Sequence, residues 1–454
     1  MKKILIIISI LIFSTIAYAN DAGIKEFRDW LIKNGQTGYF KEVDICKEYK
    51  KYSKKWYESR CEAYPQGKKQ LITNLDIKFY ESWIPEENVK PNYDTLVYEL
   101  FRFIEKPFKV GLLDKYEVEP SSNPYEFRSS LKEDKYLDRQ FEKTALLSYL
   151  LFENDQIAID KISPHDRFGK FINNETKLRS MSVGRSMASY TLAHAICEGY
   201  IDSFDTRLND WPVLENTLYY DQKLSDILNM NSGDHKYIEK GEFINTENLD
   251  SRLKGSLDGL QSLEKYLAHL KNSKSSNPRF NYNSINSSIV LNYVLFKTGN
   301  DFEKILEKTF KDKAKIKNSV FFYKIPRSSK REGNANIQFY ATRYDYLRIA
   351  KAMLDDWQND TCEGRYLKTI FKNRISKENE KRKIKSWPFA RGYAGQFQAN
   401  YKGIDKNRAV MGMHGYGGQH VVIDFERSRI VVTNAIHENF NYPKIVYGTI
   451  KKGK

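Results

Sequence analysis

Ser182 and Arg185 are the residues whose types and spacing most clearly suit chemistry. They lie three positions apart near the start of a helix-like stretch, Ser180 to Ile201, so both side chains project from one face of its first turn. A serine hydroxyl attacks carbonyl carbons when an adjacent base takes its proton. Arg185 cannot be that base, because its guanidinium stays protonated and only donates hydrogen bonds. Ser182 is therefore a candidate nucleophile that needs another partner, unless it serves only as the cap of the helix.

The helix behind Ser182 is predicted to be buried. Its apolar residues recur at steps of three and four, the period of one helix face: Met187, Ala188, Leu192, Ala195 and Ile196. Gly199 is a natural end, because glycine tolerates the left-handed geometry of a helix C-cap. On this helix, His194 is interpreted as a core residue and Cys197 as a buried thiol.

This part of the chain resembles the serine β-lactamase and penicillin-binding-protein superfamily, in its class C-like branch of DD-peptidases, esterases and 6-aminohexanoate-oligomer hydrolases. The resemblance runs from about residue 145 to residue 446. It is carried by Ser182-Val183-Gly184-Arg185 at the family motif S-x-x-K, by the helix end Glu198-Gly199-Tyr200-Ile201, and by the segments Leu224–Leu228 and Met230–Gly233. The family acylates the motif serine, so the resemblance implies that role for Ser182. Arginine in the lysine position removes the family's usual base.

The second family motif, Y-x-N or Y-x-S, falls on Tyr282-Asn283-Ser284, just before a predicted helix. The resemblance implies that the Tyr282 phenol is a general acid or base and that Ser284 is a polar contact. A cation beside a phenol favours the phenolate, so Arg185, as an electrostatic partner, would make Tyr282 the sole base. The alternative is that Tyr282 is one of 31 tyrosines packing an aromatic-rich interior.

The third family motif, K-T-G on an inner strand, has a variant in the glycine-rich run GMHGYGGQ over residues 412–419. The resemblance implies that the backbone near His414 and Gly415 supplies one oxyanion donor and the Ser182 N–H the other. Gly417 belongs to the same substrate-binding turn or marks a close backbone approach, and His414 could instead be a core histidine. A literal K-T-G at residues 297–299 is rejected, because it lies between two predicted helices, where Gly299 is a cap.

The remaining periodicity predicts an α/β (α+β) fold, with an antiparallel sheet flanked by helices and a mainly helical subdomain. A hairpin turn at residues 153–156 precedes the helical block and alternating strands follow it, so both ends of the domain build one sheet. We expect a signal peptide over residues 1–19, an N-terminal helical extension over 20–127 and a β-lactamase/transpeptidase-like domain over 128–454. The helical subdomain spans about residues 175–370.

The N-terminus has the features of an export signal: Lys2-Lys3, an apolar run over residues 4–16 and an A-x-A site ending at Ala19. The run is too short to favour a membrane span, so we expect a periplasmic or secreted protein without a stable membrane anchor. An oxidising compartment permits disulfides, and Cys46 with Cys61 would close a short loop. No Cys or His pair has ligand spacing, so neither a metal nor a cofactor is predicted.

The formal net charge of +16 comes from 74 Lys and Arg against 58 Asp and Glu. Lysine, asparagine, isoleucine and tyrosine are abundant along the whole chain, which indicates a compositional bias rather than a basic patch. No basic segment has interleaved aromatic residues, so the sequence predicts no nucleic-acid partner.

These observations predict an exported serine hydrolase that acts on a small-molecule or peptide-like ester or amide through a Ser182 acyl-enzyme. The alternative is a catalytically impaired protein of the same fold that binds a ligand in the old cleft, and Arg185 is the reason to consider it. A third hypothesis is a structural role in the cell envelope that depends on the N-terminal extension.

Overall fold

The computed structural model describes residues 41–44, 69–72, 93–105, 114–239, 242–244, 262–325, 331–377 and 389–452. The predicted signal peptide and the Cys46–Cys61 pair lie outside these residues. Within them, no helix is long and apolar enough to cross a membrane.

The strands of the described residues are short and every ladder between them is antiparallel. In chain order they are β1 (Lys41–Asp44), β2 (Lys69–Ile72), β3 (Lys115–Val118), β4 (Leu146–Glu153), β5 (Gln156–Ile162), β6 (Leu178–Arg179), β7 (Ile238–Glu239), β8 (Glu242–Phe243), β9 (Val320–Lys324), β10 (Ala335–Ala341), β11 (Ile375–Ser376), β12 (Ala390–Ala394), β13 (Phe397–Tyr401), β14 (Val410–Gly415), β15 (Gln419–Asp424) and β16 (Arg429–Ala435).

The helices alternate with these strands and are concentrated between β6 and β11. In chain order they are α1 (Tyr93–Phe103), α2 (Lys135–Lys143), α3 (Val183–Cys197), α4 (Leu224–Leu228), α5 (Leu263–Ala268), α6 (Ser284–Thr298), α7 (Phe302–Leu306), α8 (Arg343–Gln358), α9 (Cys362–Lys372) and α10 (Gly448–Lys451). Gly299 follows α6 with a φ of 52°, which confirms the predicted helix cap at the literal K-T-G.

The largest sheet has the strand order β11-β12-β13-β14-β15-β16-β4-β5. β4, from before the helical block, pairs with β16, from after it, which confirms that both ends of the domain build one sheet. The β4–β5 hairpin turns at Asn154 and Asp155, with φ of 52° and 58°. Asn and Asp tolerate this left-handed geometry, and the turn matches the twist of the flanking strands.

Helices cover both faces of this sheet. On one face α3 packs against β14, and α8 against β15 and β16, with α6 lying on α3. On the other face α2 and the C-terminal helix α10 share a separate apolar cluster with Val410 and Val422. The predicted antiparallel sheet flanked by helices is therefore confirmed.

A second sheet, with the order β3-β9-β10-β6, carries the entry to α3. Its edge strand β3 lies within the predicted N-terminal extension, and so does α1, whose Leu96, Leu100 and Phe103 belong to the main core. Strand β3 and helix α1 of the predicted extension thus pack into the same core as the main body. The domain boundary at residue 127 stays a prediction.

The prediction of a buried thiol at Cys197 was wrong, because Cys197 forms a disulfide with Cys362. Cys197 is the last residue of α3 and Cys362 the first of α9, and their Cα atoms lie 5.8 Å apart. The two cysteines are 165 positions apart in the sequence, so no local pattern relates them. In the chain-entropy model, a disulfide that closes a loop of this length stabilises the folded protein by about 5 kcal/mol.

Candidate functional site

Ser182 follows a tight turn that leads from β6 into α3. The turn is fixed to β10, because Ser180 N–H donates to the Phe339 carbonyl at 2.7 Å and Phe339 N–H donates to Ser180 Oγ at 2.8 Å. Met181 adopts a left-handed conformation with φ of 49°, which a bulky residue rarely does. Such strain occurs in proteins where the surrounding structure holds a functional turn in place.

The Ser182 hydroxyl is not used to cap α3. Ser182 occupies the N-cap position with helical angles, φ −71° and ψ −6°, and its side chain makes no capping hydrogen bond. The side chain is half-buried. The alternative role as a simple helix cap therefore does not account for this serine.

Gly184 lets the first turn of α3 cross β10 at close range. A β-carbon at this position would lie 1.9 Å from the Ile337 carbonyl oxygen, far inside van der Waals contact. The small residue in the Ser182–Arg185 turn thus sets how closely the helix start approaches the second sheet.

Arg185 holds the segment that carries the second motif. Its Nη1 donates to the Asn283 carbonyl at 2.8 Å and to Ser287 Oγ at 2.6 Å, and its Nη2 donates to Ser284 Oγ at 2.9 Å. The guanidinium carbon also lies 4.6 Å from the centre of the Tyr282 ring, a cation–π geometry. One side chain from the Ser182 turn therefore contacts every residue of the predicted Tyr282–Ser284 motif.

Arg185 is a buried cation without a directly paired carboxylate. Its side chain is 6% exposed, and among the described residues no Asp or Glu oxygen forms an ion pair with it. Its Nε is buried and has no hydrogen-bond partner in the described part of the chain. The positive charge beside Tyr282 is consequently screened little by solvent.

Tyr282 belongs to a small aromatic cluster with Phe280, Tyr393 and Met230. Tyr282 is 8% exposed, and its ring meets that of Tyr393 edge to face at 6.1 Å. Burial, followed by the proximity of Tyr282, raises the pKa of Tyr393 well above its usual value. Tyr393 therefore stays protonated near neutral pH and does not compete as a base.

The end of β14 reaches the turn before Ser182. A β-carbon on Gly415 would lie 2.6 Å from the Ser180 carbonyl oxygen and 3.2 Å from the Met181 β-carbon. Gly417, in the following turn, has a φ of 79°, and a β-carbon there would lie 2.7 Å from the Phe103 ring. The glycines predicted from the third motif thus allow close backbone approach, Gly415 to the turn before Ser182 and Gly417 to helix α1.

The His414 side chain, in contrast, points away from Ser182. Alternation along β14 puts Met413 against α3, whereas His414 lies in the opposite layer, where it shares a hydrogen bond of 2.8 Å with Tyr401 Oη. Gly412 makes room for this contact. Burial, then the neighbouring His420, holds the pKa of His414 well below its usual range, so the ring is neutral. The predicted substrate-binding role of His414 therefore applies only to its backbone, because its ring is packed in the core.

The literal K-T-G at residues 297–299 has a structural role instead. Lys297 Nζ donates to Asp210 Oδ2 at 2.6 Å near the end of α6. An ion pair at a helix end explains this lysine fully.

Sequence reasoning missed the residues that support Arg185 from the far side. Ser287 donates to Gln396 Oε1 at 2.6 Å, and Gln396 Nε2 donates to the Leu228 carbonyl at 2.8 Å. Gln396 lies in the β12–β13 turn with a φ of 77°, 109 positions from Ser287. No local pattern in the sequence could have connected them.

Among the described residues, no group of three or more His, Cys, Asp or Glu side chains could hold a metal ion. The arrangement offers a serine hydroxyl, a phenol against a fixed cation and a strand end beside the serine turn. These are the elements of nucleophilic attack on a carbonyl carbon.

Comparison with known proteins supports the fold. No protein-family model matches the chain, and no curated protein is significantly similar to it. A Bacillus anthracis protein assigned as a 6-aminohexanoate-dimer hydrolase is similar over 75% of this chain and 89% of its own, with 14% identity and a TM-score of 0.54. A penicillin-binding protein from Bacillus halodurans matches 69% of this chain and 99% of its own, with 16% identity and a TM-score of 0.50.

A third structure extends this likeness to an archaeon. The octameric penicillin-binding-protein homologue from Pyrococcus abyssi matches 70% of this chain and 77% of its own, with 13% identity and a TM-score of 0.50. At such identities the likeness is one of fold. The chain has the fold of the serine β-lactamase and penicillin-binding-protein superfamily.

Proposed function

We propose that the protein is an exported serine hydrolase that cleaves an ester or amide bond through an acyl-enzyme on Ser182. The observation that carries this proposal is the convergence of the three motifs. Arg185, one turn after Ser182, binds the Tyr282–Ser284 segment, and Gly415 packs against the turn before Ser182.

In the proposed reaction the Ser182 hydroxyl attacks the substrate carbonyl carbon while the Tyr282 phenolate takes the hydroxyl proton. The Ser182 N–H and the backbone near Gly415 stabilise the oxyanion of the tetrahedral intermediate. The carbonyl re-forms as the bond to the leaving group breaks, and Tyr282 returns the proton to that group. Water, activated by Tyr282, then hydrolyses the Ser182 ester by the same steps and restores the free hydroxyl.

Arg185 acts electrostatically in this scheme. Its guanidinium remains charged and cannot take the serine proton, but it lies against the Tyr282 ring and holds it by a cation–π contact. Ser284 is held by Arg185 Nη2 and is proposed to contact the substrate or to keep this network in place.

The substrate class follows from what the third motif lacks. The lysine of K-T-G is replaced in the run at residues 412–419, which removes a cation that would bind the carboxylate of a β-lactam. We therefore favour a small-molecule or peptide-like ester or amide. The hydrolase assignment of the Bacillus anthracis neighbour supports the same reaction class.

Covalent labelling tests the proposal. The mature protein is incubated with a fluorophosphonate or penicillin probe, and the modified peptide is identified by mass spectrometry. We expect an adduct on Ser182 that is lost in Ser182→Ala.

A ligand-binding protein of the same fold is the second candidate. It is favoured by the hydrogen bonds of Arg185, since both terminal nitrogens are engaged by protein oxygens and the position offers no base. Under this alternative the site binds a peptide or glycan without turnover, and the probe leaves Ser182 unmodified.

A further inference from the structure

Asp234 is a buried carboxylate directly after the Met230–Gly233 segment. It is 0% exposed and accepts four side-chain hydrogen bonds, from Tyr219 Oη at 3.0 Å, Asn281 Nδ2 at 2.5 Å, Asn283 Nδ2 at 2.8 Å and Asn286 Nδ2 at 2.9 Å. Amide nitrogens can only donate, so both carboxyl oxygens are acceptors. This donor pattern suits an ionised carboxylate.

Four neutral donors do not balance the charge of Asp234. A carboxylate taken out of water is costly unless a positive charge lies nearby or hydrogen bonds replace its solvation. Among the described residues no Lys, Arg or His forms an ion pair with Asp234. Any positive charge that balances Asp234 therefore lies beyond direct contact.

Asn283 connects Asp234 to the buried cation of the site. Its carbonyl accepts from Arg185 Nη1 at 2.8 Å, and its side-chain amide donates to Asp234 Oδ2 at 2.8 Å. Two buried groups of opposite charge are thus separated by a single residue, which is polarised by both. Both groups are buried, so little water screens the charge of either.

The segment before Asp234 is tied to the chain that leads to Tyr282. Asn281 N–H donates to the Met230 carbonyl at 2.8 Å, and Ser276 N–H donates to the Gly233 carbonyl at 3.0 Å. Gly233 has a φ of 72°, and a β-carbon there would lie 2.2 Å from the Ser276 carbonyl oxygen. The backbone of the Met230–Gly233 segment therefore holds in place the residues that lead to Tyr282.

We propose that Asp234 is the counter-charge of Arg185 and a positioning residue for Tyr282. Asn281 and Asn283, the two neighbours of Tyr282 in the chain, both donate to Asp234, so the tyrosine is anchored on either side. The ring is thereby kept against the Arg185 guanidinium. A small displacement of a catalytic group is expensive in rate, up to about a hundredfold for 1 Å. The effect on rate rests on the proposed function, whereas the charge coupling does not.

The first test compares Asp234→Asn with Asp345→Asn. Asp345 is also fully buried, but it pairs with Arg348 at the start of α8, so it controls for the loss of a buried carboxylate. We expect Asp234→Asn to slow fluorophosphonate labelling of Ser182 by about tenfold or more.

Asp345→Asn should leave the labelling rate of the folded protein unchanged. A wild-type labelling rate in Asp234→Asn would overturn the proposal. If Asp234→Asn does not fold, Asn281→Ala is the second variant. It removes one of the hydrogen bonds that anchor Tyr282, at a half-buried side chain, and it should also slow labelling. A wild-type rate in Asn281→Ala would then contradict the positioning role.

The second test measures the charge coupling without any turnover. Thermal unfolding is compared for wild type, Arg185→Met, Asp234→Asn and the double variant. If the two charges balance each other, Asp234→Asn lowers the Tm less in the Arg185→Met background than in wild type. Equal losses in the two backgrounds would contradict the coupling. If wild type itself is not labelled, the proposed function is contradicted. The thermal unfolding cycle then still tests the charge coupling.

Discussion

Arg185 gives this site a chemistry that a lysine would not. Its planar guanidinium reaches the Asn283 carbonyl, Ser284 Oγ and Ser287 Oγ at once and faces the Tyr282 ring at 4.6 Å. A lysine ammonium is a compact charge that cannot match this fork, although it can lose its proton when buried. Arg185 therefore supplies a fixed cation and no base, and in the proposed reaction the general base is Tyr282.

The Arg185→Lys variant separates the two candidate functions. If Tyr282 is the base, hydrolysis of an activated ester stays at the wild-type level or falls, because lysine loses part of the hydrogen-bonded network. If the protein is a binder that has lost its base, lysine restores one, and hydrolysis rises by about a hundredfold or more. Ser182→Ala in the lysine background shows whether any activity gained passes through Ser182.

At the scale of elements, the position of Ser182 depends on how α3 meets β10. The Ser180 turn exchanges hydrogen bonds with Phe339, and Gly184 lies against the Ile337 carbonyl. These contacts fix the first turn of α3 on the second sheet. The disulfide at Cys197 holds the other end of the same helix against α9.

Gly184→Ala should destabilise the protein strongly. The added β-carbon would lie 1.9 Å from the Ile337 carbonyl oxygen, so helix and strand must separate, at a cost of about 3 kcal/mol or more. Gly199→Ala is the matched control: its φ of 80° is strained for alanine, but no atom lies within 4 Å of the new β-carbon, and the cost is about 1 kcal/mol. Chemical denaturation measures both, and equal losses would contradict the close packing of α3 on β10.

Across the whole molecule, acid stability depends on histidines that are buried in the neutral form. Burial lowers the pKa of His194 to about 4 and that of His420 to about 3. An unfolded histidine titrates near 6.5, so as the pH falls below this value the unfolded chain binds protons first. The stability that these residues contribute is complete above about pH 6.5 and is lost as the pH falls towards 4 for His194 and 3 for His420.

His194→Gln should flatten this pH dependence. Between pH 7 and pH 4.5 the folded wild type should lose about 2 kcal/mol of unfolding free energy through His194, and the variant should lose correspondingly less. Urea denaturation at the two pH values measures the difference. His165→Gln, at an exposed side chain, is the control, and identical pH dependence in wild type and His194→Gln would contradict the prediction.

The sequence predicts the features that depend on local spacing. The β4–β5 hairpin, the Gly299 cap and the shared turn of Ser182 and Arg185 each follow from a few neighbouring residues. The Cys197–Cys362 disulfide and the contact of Ser287 with Gln396 join distant positions, and only the folded chain brings them together. His414 is an intermediate case, because strand alternation predicts that it and Met413 face opposite layers but does not say which layer contains Ser182.

The most direct measurement of the central claim is the mass of the Ser182 peptide after incubation with a fluorophosphonate. We expect an adduct on Ser182 that is absent from Ser182→Ala. Ser180 should remain unmodified, because its hydroxyl donates to the Met181 carbonyl and accepts from Phe339 N–H. An unmodified Ser182, under conditions that fully label a related serine hydrolase, would contradict the proposed acyl-enzyme.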